Sequence, residues 1–249
     1  MTPLLSFHNV TKRYSDGNRE LAVLDCVSMQ IEAGESAGVY GPRRSGKSTL
    51  LRLAAGITLP DAGTVSFLGR DVARMSSSER GRLLRGQIAF VSSADWRANP
   101  GERVGEHVAT SLGSEGLTMR EAKHRALRTL EQVGVGAADA EELTSSLSLT
   151  DRARVMLARA LARQPKLLLL DEPALMPNPG DRDRFYALLR EQAREHGMAL
   201  LLASEAMAAL QGVNVLMSID AGELVSSEPR GTVVRLPGRR LGGAERSGQ

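Results

Sequence analysis

Along most of the chain the hydrophobic pattern switches between two periods. Val27-Ser28-Met29-Gln30-Ile31 alternates apolar and polar residues, as a half-buried strand does, and Gly34-Glu35 then turns the chain. Ser36 to Tyr40 reads as a short buried strand. Gly46 to Gly56 reads as a helix, with Leu50, Leu51, Leu53 and Ala54 turned inward. Thr64 to Leu68, bounded by Gly63 and Gly69, is a second buried strand, and Ile88-Ala89-Phe90-Val91 a third. Thr118-Met119-Arg120-Glu121 has the spacing of a capping box, and Ala122, Ala126, Leu130 and Val133 follow at helical intervals. Arg152 to Arg163 and Arg182 to His196 predict two further helices. Leu167 to Leu170 is wholly apolar, as expected of a strand covered on both faces. Met198 to Ala203 and Val213 to Ile219 complete the strands. Strands alternating with helices predict an α/β fold with a mainly parallel central sheet. Residues 96–149 offer helices and no convincing strand, which reads as an inserted helical subdomain. From Pro229 the chain turns rich in Gly, Pro and Arg, so 229–249 is expected to be a mobile basic tail beyond a domain spanning 1–228.

Composition narrows the class. The chain has 249 residues, 42% hydrophobic and 24% charged, enough to bury a full core. The longest uncharged stretch, Ala206 to Ile219, is interrupted by Gln211, Asn214 and Ser218 and falls short of the roughly 20 apolar residues of a spanning helix. The N-terminus lacks a basic segment followed by an apolar run, so no secretory signal is expected. Cys26 is the sole cysteine, which excludes an intramolecular disulfide and favours a reducing, cytoplasmic compartment. A net charge of +3 and an aromatic content of 3% argue against a nucleic-acid partner, which favours a clustered basic face and stacking aromatics.

The chemistry resides in Gly41-Pro42-Arg43-Arg44-Ser45-Gly46-Lys47-Ser48, a match to the phosphate-binding pattern GxxxxGK[ST] between a predicted strand and a predicted helix. Phosphate oxygens need many donors at close range. A loop of backbone N–H groups at a helix N-terminus supplies them, with a favourable dipole. In this pattern Lys47 reaches the β and γ phosphates and Ser48 ligates Mg²⁺, and Gly41 to Ser48 with Thr49 are the candidate ATP-binding residues of the loop. A second element, Leu167-Leu168-Leu169-Leu170-Asp171-Glu172, ends an apolar strand in two acids. Asp171 suits Mg²⁺, and Glu172 can polarise an attacking water. Lys47 and Glu172 are therefore the candidate catalytic pair, and Ser48 and Asp171 the candidate metal ligands.

With these motifs the chain resembles the ATP-binding cassette (ABC) family, the nucleotide-binding subunits of transporters, over roughly residues 4–228. Ala158 to Pro173, ARALARQPKLLLLDEP, is close to the family's usual wording. Leu68 to Val91 is similar to the branch that works with macrolide-export, lipoprotein-release and cell-division type permeases. The resemblance implies a P-loop NTPase (RecA-like) core, an N-terminal antiparallel β part and ATP with Mg²⁺ as ligands. It places the adenine-stacking aromatic at Tyr14. It implies an integral-membrane permease as partner, attachment to the inner face of the cell membrane, and two such subunits clamping two ATP molecules. Each ATP would touch one subunit's phosphate loop and the other's signature motif.

Several family positions are altered. The signature LSGGQ falls on Leu147-Ser148-Leu149-Thr150-Asp151, where only Leu and Ser match. Leu149 and Thr150 carry side chains where glycines would let backbone approach the facing γ-phosphate, and Asp151 adds negative charge. Like charges about 6 Å apart at an effective dielectric near 20 repel by roughly 3 kcal/mol. The Gln expected after Phe90-Val91 is Ser93, the switch His is Ser204, and the Asp of the turn after Glu172-Pro173 is lost at Asn178. In the phosphate loop Arg44 replaces a common third Gly. The expectation is an ATP-binding subunit that couples MgATP to a permease as the degenerate half of an asymmetric ATPase pair, beside a second ABC subunit with intact motifs. ATP hydrolysis by the isolated chain is expected to be weak or absent. The alternative is a non-hydrolysing structural or regulatory subunit. Trp96 falls where the family meets its permease, and it fits a subdomain core position equally well. His8, His107 and His124 show no metal-ligand spacing.

Overall fold

The computed structural model describes residues 2–16, 19–92, 96–113, 115–172 and 179–227. Among the described residues there are two sheets and six α-helices. An antiparallel sheet in the order β2-β1-β4-β5 is built from β1 (Leu5–Asp16), β2 (Arg19–Ile31), β4 (Ala62–Phe67) and β5 (Arg70–Asp71). The second sheet has the order β10-β9-β3-β8-β7-β6, with β3 (Ser36–Tyr40), β6 (Ile88–Ser92), β7 (Leu167–Asp171), β8 (Ala199–Ser204), β9 (Val215–Asp220) and β10 (Glu223–Ser227). Its strands are parallel except β10, which returns antiparallel along β9.

The helices are α1 (Lys47–Ala54), α2 (Ser77–Gly86), α3 (Val104–Thr110), α4 (Met119–Gln132), α5 (Leu149–Leu161) and α6 (Pro179–His196). Between β6 and β7 the described residues hold α3, α4 and α5 but no strand beyond an isolated bridge, Arg103 to Leu143. Of these helices, α6 is the longest, and no helix among the described residues is long and apolar enough to cross a membrane.

The period of two decides the layering. In β7, Leu167 and Leu169 face a core shared with α1 and the antiparallel sheet, while Leu168 and Leu170 face a second core shared with the α3–α6 helices. β8 divides in the same way, with Leu201 on the first side and Leu200 and Leu202 on the second. Both faces of these strands are buried, which explains the unbroken apolar run.

Several boundaries differ from the sequence reading, among them β2, which begins at Arg19 rather than Val27, and α6, which begins at Pro179 rather than Arg182. α5 starts at Leu149 rather than Arg152, because Ser148 caps it. The first half of the antiparallel sheet runs through Leu5–Asp16, where charged and polar residues break the apolar alternation. Its register shifts between Phe7 and Val10 and again between Val10 and Arg13, and each bulge turns side chains to the other face. α2 was also missed. It buries none of its residues fully and is held by a capping box between Ser76 and Glu79, which pulls the Glu79 carboxyl down to about 2.

Candidate nucleotide site

The predicted phosphate loop lies where β3 ends and α1 begins. Gly46 occupies the N-cap position of α1 at φ 107°, a left-handed conformation open to glycine, and no side chain caps the helix. A Cβ at Gly46 would stand 2.6 Å from the Val23 carbonyl oxygen of β2, so the antiparallel sheet packs directly on the loop. At Gly41 a Cβ would meet the Ile219 carbonyl oxygen at 2.4 Å. Close backbone approach thus requires both glycines. Arg44 is left-handed as well, at φ 63°, and exposed. Putting a non-glycine there costs about 1–2 kcal/mol, which is a strain the sequence pattern does not reveal.

Lys47 is buried, and its Nζ donates to the carbonyls of Gly41 and Pro42, each at 2.8 Å. Ser45 is buried with an unpartnered Oγ. Ser48 is half-buried in the first turn of α1, and Thr49 is buried behind it. Pro42 and Arg43 are exposed, and Arg43 forms a surface ion pair with Glu205 at 3.2 Å.

The acids arrive from the neighbouring strand. Asp171 closes β7 in register with Ser92 and Ala203, and its Oδ1 is buried without a hydrogen-bond partner. Glu172 follows at φ 45°, and its N–H donates to the Ala203 carbonyl. Its Oε1 lies 3.8 Å from Lys47 Nζ, and its Oε2 accepts from Ser204 Oγ at 3.2 Å. Burial raises the Glu172 carboxyl above its ordinary value, while the Lys47 charge and the Ser204 hydroxyl oppose the rise. Ser204 Oγ also accepts the Ala206 N–H, which directs its single proton to the carboxylate. The residue at the switch position therefore touches the candidate water-polarising carboxylate, a contact the sequence did not disclose.

The donor set fits a magnesium nucleotide. A buried carboxylate oxygen and a buried hydroxyl lack partners, and a buried ammonium rests on loop carbonyls at an uncapped helix N-terminus. Tyr14 is 41% exposed on β1, paired with Leu21 two residues before Val23, and Lys12 Nζ lies 5.5 Å from its ring centroid.

The Leu147–Asp151 segment lies apart from the loop, at the N-terminus of α5. Ser148 Oγ accepts the Asp151 N–H at 3.1 Å and lies 2.6 Å from the Asp151 carboxylate, which also pairs with Arg154 at 3.4 Å. Leu149 is 58% exposed, and Thr150 is half-buried. Ser93, Asn178 and the 229–249 tail lie outside the described residues. Trp96 packs against the core of the helical layer, tilted over His107 with centroids 5.5 Å apart, and Arg152 lies over its ring. Buried His107 bonds Glu102 through Nδ1 at 2.9 Å and Arg159 through Nε2 at 3.2 Å. His8 and His124 are exposed.

Residues 24–175 match the ABC transporter family. The chain belongs to that family. The lipoprotein-releasing system ATP-binding protein LolD 2 of Caulobacter vibrioides is 33% identical over 89% of this chain and 96% of its own length. The methionine import ATP-binding protein MetN of the same organism is 34% identical over 89% of this chain and 66% of its own. The dimeric bacterial ABC transporter cassette MJ0796 superposes with a TM-score of 0.84 at 25% identity, covering 92% of this chain and 100% of that one. ABC subunits of this family bind ATP with Mg²⁺ and hydrolyse it as parts of transporter complexes with membrane permeases. This chain has their P-loop NTPase fold, a mainly parallel sheet with an antiparallel sheet packed on it.

Proposed function

We propose that this chain is the ATP-binding half of an asymmetric ABC ATPase pair, docked on an integral-membrane permease at the cytoplasmic face. The observation that carries the reading is the contrast between two helix N-termini: α1 stays uncapped beside Lys47, whereas α5 is closed by Ser148 and Asp151. In cis, the N–H groups of residues 41–49 would cradle the phosphates and Tyr14 would stack on adenine. Ser48 and Asp171 would hold Mg²⁺, which supplies charge neutralisation at the phosphates. Glu172 would polarise the attacking water. In trans, the exposed Leu149 and the Asp151 carboxylate, which Ser148 contacts, would stand where a facing γ-phosphate needs free backbone N–H groups. In this reading the single ATP-binding domain covers 1–228, with 96–149 as its helical subdomain.

A self-pair incurs this mismatch at both sites and a mixed pair at one. If each mismatch costs about 2–3 kcal/mol, the mixed pair is favoured roughly 30- to 150-fold. Hydrolysis by the lone chain is then slow, since phosphoryl transfer depends on positioning and charge stabilisation from both subunits. The test is repair. Leu149→Gly, Thr150→Gly and Asp151→Gln in a Glu172→Gln background are expected to create MgATP-dependent self-dimers on size-exclusion chromatography. Tight self-dimerisation of the unrepaired chain, with no gain from repair, overturns the asymmetric pair. Ser204 in the switch position favours the second reading, a non-hydrolysing regulatory subunit. That reading predicts no phosphate release even when the chain is mixed with an intact partner cassette.

A further inference from the structure

Far from the nucleotide site, at the opposite ends of the parallel strands, a cavity of about 660 Å³ opens between α4, the turn before β7 and the end of α6. That volume lies within the range of small-molecule sites. The polar groups around it are unevenly matched. Gln192 lines it at 7% exposure, and its side-chain amide has no hydrogen-bond partner among the described residues. An amide that faces an open cavity without a protein partner is free to bond a ligand oxygen.

Cationic side chains outnumber the acid around the cavity. Arg128 and Lys166 line the cavity, and neither forms an ion pair among the described residues. Arg125 lines it too, already paired with Glu115 at 2.7 Å. The single acid in the lining, Glu121, is held by the capping box at Thr118, whose hydroxyl and N–H draw its carboxyl below the ordinary value. The floor is apolar where Leu161 and Met198 reach it.

We propose that this cavity binds a phosphate-bearing ligand, with Arg128 and Lys166 on the phosphate, Gln192 on a ligand oxygen, and the body of the ligand on the apolar floor. The size favours a phosphorylated organic molecule over a bare ion. The same chemistry is offered by a soluble metabolite and by an anionic lipid headgroup, and the test separates them. Lys47→Ala weakens phosphate binding at the nucleotide loop, and dependence on the cavity residues then assigns the remaining binding. In that background, pyrophosphate is titrated calorimetrically, and vesicles of phosphatidylglycerol are sedimented in parallel.

Saturable pyrophosphate binding that weakens about tenfold or more in Gln192→Leu, which conserves charge, and in Arg128→Gln/Lys166→Gln establishes a soluble-ligand site. Vesicle binding with the same dependence, and none of pyrophosphate, establishes a headgroup site. Binding of neither probe, or binding that these substitutions leave unchanged while the variants keep the parent's melting temperature, overturns the proposal. Should Gln192→Leu fail to fold, the two rim substitutions, both at exposed positions, carry the test alone.

Discussion

α1 and α5 both begin with backbone N–H groups that no carbonyl within the helix can satisfy, and the chain treats the two ends in opposite ways. At α1 the cap is Gly46, the first turn holds no acid, and Lys47 lies beneath the open loop. At α5 the cap is Ser148, the first turn holds Asp151, and the two side chains bond each other and the backbone. The same electrostatics produces an anion site in one case and a finished helix end in the other. What separates them is whether the chain provides its own acceptor.

The largest expected effect falls on the open end. Lys47→Ala should weaken MgATP by about 3 kcal/mol, on the order of 150-fold, with little change in melting temperature, because its Nζ contacts only loop carbonyls and Glu172. Equal affinity for a fluorescent ATP analogue in the two proteins would break the assignment of the site. Gly46→Ala tests the backbone of the same end. A left-handed φ and a Cβ at 2.6 Å from the Val23 carbonyl should destabilise the fold by about 2 kcal/mol, read as a melting shift of roughly 4–8 °C.

The closed end should respond in the reverse manner. Ser148→Ala removes the cap and should lower stability by about 1 kcal/mol, or roughly 2–4 °C, while leaving ATP affinity in cis unchanged. A loss of nucleotide affinity in this variant would sink the distinction between the two ends.

The smallest effect concerns pH and belongs to the helical layer against which α5 packs. Burial pushes the His107 imidazole below its ordinary value of 6.5, against the pull of Glu102 and alongside the repulsion of Arg159. The native state therefore prefers neutral His107. The stability this adds is present in full above pH 6.5 and is lost as pH falls below 6.5 toward the folded-state value. His107→Gln should flatten the decline in melting temperature between pH 7 and pH 5. An unchanged slope would mean that the decline arises elsewhere.

Much of this was legible in the chain itself. The short runs at Ser36–Tyr40 and Leu167–Leu170 were legible as strands, because each is too short for a buried helix and is bounded by turn or acidic residues. The glycine pattern at 41–46 determined the loop, because φ and close backbone approach are local properties. Only the tertiary structure could bring Ser204 onto Glu172, pair the Leu5–Asp16 strand through its bulges, and set Gln192 over a cavity formed by separate helices. Those arrangements depend on contacts between residues distant in sequence, and a period of two or 3.6 says which face a residue takes, not which partner it meets.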